Sequence, residues 1–236
     1  MRIGVLYSSG KDSTFTIWYY LEQGWDVVCL LSLLPKNKES YMFQVPAHEL
    51  LKAQANSLQI PLLVQYTMGE KEQELEDLKN LLERAKKEYD IEGVAVGALA
   101  SDYQQERVNR ICHLVNLKTY TPLWHKDQER LLRELIAAGF DIRMTKIAAD
   151  GLDEHWLGKR LTGEDVSGLA QLHKKIGLHV GGEGGEYETI ALDGPIFAAP
   201  IIIDYEKKME STHTGELVLT VRNNKQKKRK KDSFTS

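Results

Sequence analysis

At 236 residues, 42% of them hydrophobic, the chain has the apolar content of an ordinary globular protein and the length for one large or two small cores. It lacks the run of about eighteen apolar residues that a membrane-spanning helix requires, and its start reads directly as a strand with no signal-peptide pattern, which points to a cytoplasmic protein with no membrane partner. The net charge of −3 is uneven: six basic residues between Lys225 and Lys231, with Asp232 after them, give the last twelve positions +5 and leave the first 224 at −8. An acidic body argues against a stable nucleic-acid complex, and the basic end reads as a solvated, disordered tail.

The first strand is expected at Ile3–Tyr7, short, apolar and β-branched. It runs into Ser8-Ser9-Gly10-Lys11-Asp12-Ser13, and a helix follows over Thr14–Leu21 with Phe15, Trp18 and Leu21 or Tyr19 on its buried face and Gly24 at its C-terminal end. A strand turning through small residues into a helix presents unpaired N–H groups and the positive end of the helix dipole, a setting made for phosphate. Gly10 allows close approach, Lys11 supplies a cation, and Ser8 and Ser13 supply hydroxyls. The common NTPase loop is excluded, because Val5 stands where its first glycine belongs and Asp12 follows the lysine. A carboxylate beside phosphate makes sense if Mg²⁺ lies between them or if it positions a nearby group, and Asp12 is the metal candidate.

Strand and helix signals then alternate, the signature of a doubly wound, mostly parallel α/β sheet. Strands are expected at Val27–Leu34, Leu62–Val64, Val94–Val96 and near Tyr120, and helices at Pro46–Leu58, Glu70–Tyr89, from Ser101 or Asp102, and at Gln128–Ala138. Ile142–Ala148 reads as a further strand of the same unit. In such a sheet, ligands bind where the strand order reverses, beyond the carboxyl ends of the first and fourth strands. That places Ser8–Ser13 beside Gly97–Asp102. From about Asp150 the alternation stops and glycines become dense. The domains are therefore expected at 1–149 for the nucleotide, 150–222 as a smaller α+β substrate domain, and 223–236 as the tail. In the second unit a helix is expected at Asp165–Ile176 and a closing strand at Leu217–Val221.

Gly181-Gly182-Glu183-Gly184-Gly185-Glu186-Tyr187-Glu188-Thr189 holds four glycines and three carboxylates in nine residues. Clustered acids repel unless cations or water neutralise them. On the residues alone the segment is either a glycine-rich hairpin with solvated acids or a group facing Mg²⁺, a basic substrate group, or the lysines and arginines of the first unit. On a strand, Glu186 and Glu188 would project from one side and Tyr187 from the other.

Two resemblances follow from these residues. The Ser8–Ser13 loop resembles the pyrophosphate-binding loop of the N-type ATP pyrophosphatases, written Ser-Gly-Gly-x-Asp-Ser, with Ser9 at the first glycine. If that position needs a positive φ, the serine is strained. The Gly-Glu-Gly-Gly-Glu-Tyr-Glu-Thr run, with Gly97–Tyr103, Pro122-Leu123-Trp124, Asp127-Gln128 and Gly151-Leu152-Asp153, is similar to the diphthine–ammonia ligase family, from the first strand to about Pro195. That resemblance implies a Rossmann-like pyrophosphatase domain joined to a smaller C-terminal substrate domain. It also implies an ATP- and Mg²⁺-dependent amidation of diphthine on translation elongation factor 2.

Carried onto this sequence, the resemblance assigns Lys11 and Asp12 to catalysis and Ser8, Ser9, Gly10, Lys11, Asp12, Ser13, His48, Gly97 and Ala98 to the nucleotide. It assigns Asp102, Tyr103, Arg107, Glu183, Gly184, Gly185, Glu186, Tyr187, Glu188 and Thr189 to the substrate. Neither Cys29 nor Cys112 sits in a glutaminase-like context and Arg2 occupies the second position, so ammonium is the expected nitrogen source. Two other readings remain: an adenylating ligase of the same class acting on a tRNA base or small carboxylate, and a non-catalytic adenine-nucleotide sensor.

Overall fold

The computed structural model describes residues 1–35, 46–68, 71–97 and 102–222. Five strands form a wholly parallel sheet: β1 (Arg2–Leu6), β2 (Asp26–Pro35), β3 (Leu62–Thr67), β4 (Gly93–Val96) and β5 (Lys118–Tyr120), in the spatial order β3-β2-β1-β4-β5. The order reverses between β1 and β4, where Gly4, Val5 and Leu6 lie opposite Val94, Ala95 and Val96. The crevice that a doubly wound sheet offers to ligands opens at the carboxyl ends of those two strands.

Helices cover both faces, as a buried parallel sheet requires. Alternate residues of each strand divide between two cores. On one side, Ile3, Val5, Leu30 and Ala95 pack with α1 (Lys11–Glu22) and α2 (Pro46–Leu58). On the other, Cys29, Leu31 and Val94 pack with Leu78, Leu81, Leu82 and Ala85 of α3 (Lys71–Tyr89) and Ile111 and Cys112 of α4 (Asp102–Leu114).

The second sheet is antiparallel. It comprises β6 (Asp141–Ala148), β7 (Tyr187–Asp193), β8 (Ile203–Ser211) and β9 (Thr214–Val221), in the order β7-β6-β9-β8. Helices α5 (Gln128–Ala137) and α6 (Gly163–Ile176) pack against each other, and Leu131, Leu132, Leu135, Val166 and Leu169 join the core shared by β1, α1 and α2. One hydrophobic cluster thus runs continuously from the parallel sheet into the antiparallel one.

Two expectations are corrected here. The Ile142–Ala148 strand, expected in the first unit, pairs with β7 and β9 in the second sheet. Its residues carry the reason: Ile142, Met144 and Ile147 are buried while Arg143 and Lys146 face outward, the alternation of a half-solvated antiparallel strand. The second correction concerns α1, where Leu21 is exposed and Ile17 and Tyr20 are buried with Phe15. This helix touches β1, β2 and β4 on one side and β7 on the other. A helix held between two sheets buries more than a single stripe.

Candidate functional site

β1 ends at Leu6 and α1 begins at Lys11, so the phosphate-type loop is the turn between them. Gly10 occupies the N-cap position in extended geometry and brings no side chain to cap the helix, whereas Asp127 caps α5 and a Thr162–Asp165 capping box opens α6. Apart from the Lys11 N–H, which Thr189 receives, the first turn of α1 therefore keeps N–H donors and the positive end of its dipole facing the crevice. Within the turn the Thr14 hydroxyl donates to Gly10 O at 2.8 Å, and Ser13 Oγ donates to the same carbonyl at 3.2 Å and lies 3.3 Å from Ser8 Oγ. Ser13, expected to face phosphate, is buried and braces the loop from within.

The glycine-rich segment meets this turn. The Lys11 backbone N–H donates to Thr189 Oγ1 at 3.2 Å, and the Ala191 N–H of β7 donates to Ser9 O at 3.0 Å. A Cβ on Gly10 would lie 3.2 Å from Thr189 O, so a side chain there would crowd the second sheet. Lys11 is 3% exposed; its ammonium contacts Asp12 Oδ2 at 2.6 Å and lies 5.9 Å from the centre of the Tyr187 ring. The other oxygen, Asp12 Oδ1, is buried without a partner among the described residues.

The segment itself is folded around His179. The ring Nδ1 accepts N–H groups from Gly181 at 3.2 Å and Glu183 at 3.4 Å, so the ring proton resides on Nε2. The His179 N–H in turn donates to Glu186 Oε1 at 3.0 Å. The Tyr187 hydroxyl donates to Val180 O, and Gly182, at φ +75°, packs its α-carbon against Tyr187. Glu186 Oε2, like Asp12 Oδ1, is buried without a partner among the described residues.

Electrostatics couple these pieces. Desolvation by the surrounding loop raises the Glu183 carboxyl above the ordinary range, and the negative charges of Asp12 and Glu186 raise it further while Lys11 opposes them. Burial pushes the Tyr187 hydroxyl well above its usual value, with Asp12, Glu186 and Glu183 adding to it. Tyr187 is therefore neutral at physiological pH. Among the described residues no three His, Cys, Asp or Glu side chains cluster as a metal cage. Mg²⁺, however, binds through one or two carboxylates with phosphate and water supplying the rest; the unpartnered Asp12 oxygen could be such a ligand, with phosphate drawn to the helix end beside it.

The other anticipated residues fall in different places. His48 stacks on Tyr66 of β3, its Nδ1 2.7 Å from the phenol oxygen, and burial lowers its pKa. Glu188 is half exposed and lies 3.7 Å from Lys146 on the adjacent β6, turned away from the Glu183–Glu186 group. Gly97 was expected to make room for a nucleotide. A Cβ there would lie 2.8–2.9 Å from the backbone of Asp12 and Ser13, so the glycine admits the first turn of α1. Arg107 lies half-buried on α4. Ala98 lies outside the described residues, and so do the side chains of Asp102 and Tyr103 on the same helix.

Three residues of the site carry no expected role: His179, the hub of the glycine segment; Gln128, quoted above only as part of a motif, whose side-chain oxygen fills the space a Cβ on Gly181 would need; and Gln54, bonded to both Ser9 and Ala191. A histidine two positions before a glycine pair was the one available signal. The thiols expected to be inert core groups are buried, with burial pushing Cys29 up to about 12 and raising Cys112 as well.

Comparison with known proteins follows the same division of the chain. The diphthamide synthase N-terminal domain matches residues 1–119 and the diphthamide synthase C-terminal domain residues 127–225. The diphthine–ammonia ligase of Rattus norvegicus is 40% identical over 224 residues, covering 86% of this chain and 83% of that protein. The Homo sapiens protein of the same name is 38% identical over the same span and coverage. The Schizosaccharomyces pombe diphthine–ammonia ligase is 36% identical over 234 residues, 92% of this chain but 38% of that protein. With both domain patterns matched in order and relatives this similar along most of its length, the chain belongs to the diphthamide synthase family.

Proposed function

We propose that the chain converts diphthine on translation elongation factor 2 to diphthamide, using ATP and ammonium, and releases AMP and pyrophosphate. A carboxylate resists attack by ammonia until one of its oxygens becomes a leaving group. In this reading a diphthine carboxylate oxygen attacks the α-phosphorus of ATP, the bond to the β-phosphate oxygen breaks, and pyrophosphate departs. Ammonia then attacks the acyl carbon and AMP leaves with the oxygen.

The turn at Ser8–Ser13 would hold the departing pyrophosphate through the orphan N–H groups of α1, with Lys11 countering the charge that grows on it. Mg²⁺, held by Asp12, would screen the phosphates. Ammonium has to lose a proton before it attacks. Glu183, an exposed carboxyl raised above its usual range by desolvation and by the charges of Asp12 and Glu186, is the group suited to receive that proton. The acids of the glycine segment suit the quaternary ammonium of diphthine, which carboxylates attract, while Tyr187, buried beneath them, holds the segment in place.

The observation that carries this reading is the hydrogen bond from the Lys11 N–H to Thr189 Oγ1, which joins the phosphate-type turn to the acidic glycine segment across 178 residues. The test is reconstitution of the purified chain with ATP, Mg²⁺, ammonium and diphthine-bearing factor. AMP and diphthamide should appear together and depend on the factor. Formation of ADP, or AMP release indifferent to the factor, would overturn the proposal.

A further inference from the structure

Ser9 sits at φ +68°, in the left-handed region that a side chain resists and glycine accepts freely. Its carbonyl is correspondingly turned out of the crevice and into protein. Two donors receive it there: the Ala191 N–H at 3.0 Å and the side-chain amide of Gln54 at 3.1 Å. The same Gln54 nitrogen donates its second hydrogen to Ala191 O at 2.7 Å. Ser9, Ala191 and Gln54 thus close a small ring of hydrogen bonds that joins the phosphate-type turn, β7 and α2. Gln54 is fully buried, and its oxygen finds no partner among the described residues, so its place in α2 is filled for its two donors.

One helical turn further, Ser57 repeats the connection. Its hydroxyl donates to Ala199 O and receives the Ala199 N–H at 3.0 Å, and its carbonyl accepts the Ala198 N–H at 2.8 Å. This face of α2 is a polar seam fastened to the second sheet and its following loop. Strained backbone persists only where the surroundings over-determine it. Here the over-determination comes from Gln54, 45 positions away, together with the Ala191 N–H.

We propose that Gln54 is a positioning residue: by holding the Ser9 carbonyl it keeps the turn in its left-handed form, with the N–H groups of the uncapped helix facing the nucleotide, and sets the turn's distance from the glycine segment. Gln54 touches no reacting atom and acts through Ser9. The inference rests on reading the turn as the nucleotide site, and its chemistry makes a particular demand. If the amide offsets a strain that glycine would not feel, then glycine at position 9 should remove the need for the amide.

The experiment is a double-mutant cycle on the full chain, comparing wild type, Gln54→Leu, Ser9→Gly and the double variant. Equilibrium binding of ATP with Mg²⁺, without ammonium or factor, gives one readout. Amide hydrogen exchange at Gly10 and Lys11 in the absence of nucleotide gives the other. Gln54→Leu should weaken ATP about tenfold, the loss typical of removing an outer positioning partner, and should speed exchange at both amides. Adding Ser9→Gly should recover most of both losses. Gln54→Met, unbranched and of similar length, takes the same place in the cycle if the leucine variant does not fold. Wild-type ATP affinity and exchange in the Gln54 variants, or Ser9→Gly effects that merely add to theirs, would overturn the proposal. A wild-type chain that binds no ATP would overturn the nucleotide reading instead, and the exchange data then decide the positioning role by themselves.

Discussion

The phosphate-type turn and the glycine-rich segment face each other, but they are held in opposite ways. The glycine segment carries much of its own bonding: His179 with Glu186, and Tyr187 with Val180, pair within nine residues of chain. The turn at Ser8–Ser13 has local bonds of its own but takes its decisive restraints from Gln54, Thr189 and Ala191. Local bonds of that kind keep the segment's shape even if its surroundings shift. A turn restrained from afar changes shape if its supports move, which couples nucleotide binding to the packing of the second sheet.

The most severe way to test that contrast is to remove charge from the turn. Lys11→Met keeps the buried volume but deletes the cation, and amidation should fall about 10²–10³-fold in single-turnover assays, the range for loss of one preorganised charge-stabilising donor. A smaller loss would mean that the orphan amides of α1 carry the pyrophosphate without it.

Two glycines give the next effect. Gly97→Ala would bring a Cβ within 2.8 Å of the Asp12 backbone, and Gly182→Ala would add a side chain at φ +75° with Tyr187 O 2.8 Å away. Each should cost roughly 1–3 kcal/mol in urea unfolding, as overpacking against backbone does. The comparison is sharpened by where the damage shows. Gly97→Ala should weaken ATP binding, because it shifts the first turn of α1, whereas Gly182→Ala should first weaken the factor-dependent step.

Thr189→Val keeps the shape of the side chain and deletes the acceptor of the Lys11 N–H. The loss should be about 1 kcal/mol of nucleotide affinity by titration, close to the net worth of one hydrogen bond. An unchanged affinity would show that the two regions touch without being coupled.

The smallest effect concerns pH. The Glu183 carboxyl is raised in the folded chain, so its ionised form is disfavoured there relative to the unfolded chain. Glu183 therefore costs stability above its raised pKa and nothing once protonated in both states. Glu183→Gln should be slightly more stable than wild type at neutral pH. The advantage should shrink as pH falls through the raised value and vanish below the ordinary carboxylate range, as followed by thermal unfolding across that window.

Much of the fold was legible because burial writes itself into spacing. The apolar runs at Val27–Leu34 and Val94–Val96 announce strands covered on both faces, and Leu75, Leu78 and Leu82 mark one stripe of α3. The alternation of Ile142, Arg143 and Met144 was equally present, and its fit to an antiparallel partner was what went unread. Strand β8 had no signal at all: Ile203–Ser211 is an edge strand exposed along most of its length, so its sequence answers to solvent rather than to a core. Within the site, the acids and glycines drew attention by their density. Gln54 did not, since a buried glutamine in an amphipathic helix looks like any other polar position until its partners are known.

By itself the sequence determined that a phosphate-type turn follows the first strand and that an acidic glycine-rich segment lies near the other end. Local propensity and residue type decide such features, and both are written along the chain. The packing of distant parts settled the rest: α1 is clasped between two sheets, Ser9 is held left-handed by Gln54 and Ala191, and Glu188 lies by Lys146 while Glu186 bonds His179 and the Glu183 carboxyl feels the charge of Asp12. Those outcomes depend on which distant groups share one desolvated space, where a hydrogen bond or a neighbouring charge acts far more strongly than it does in water.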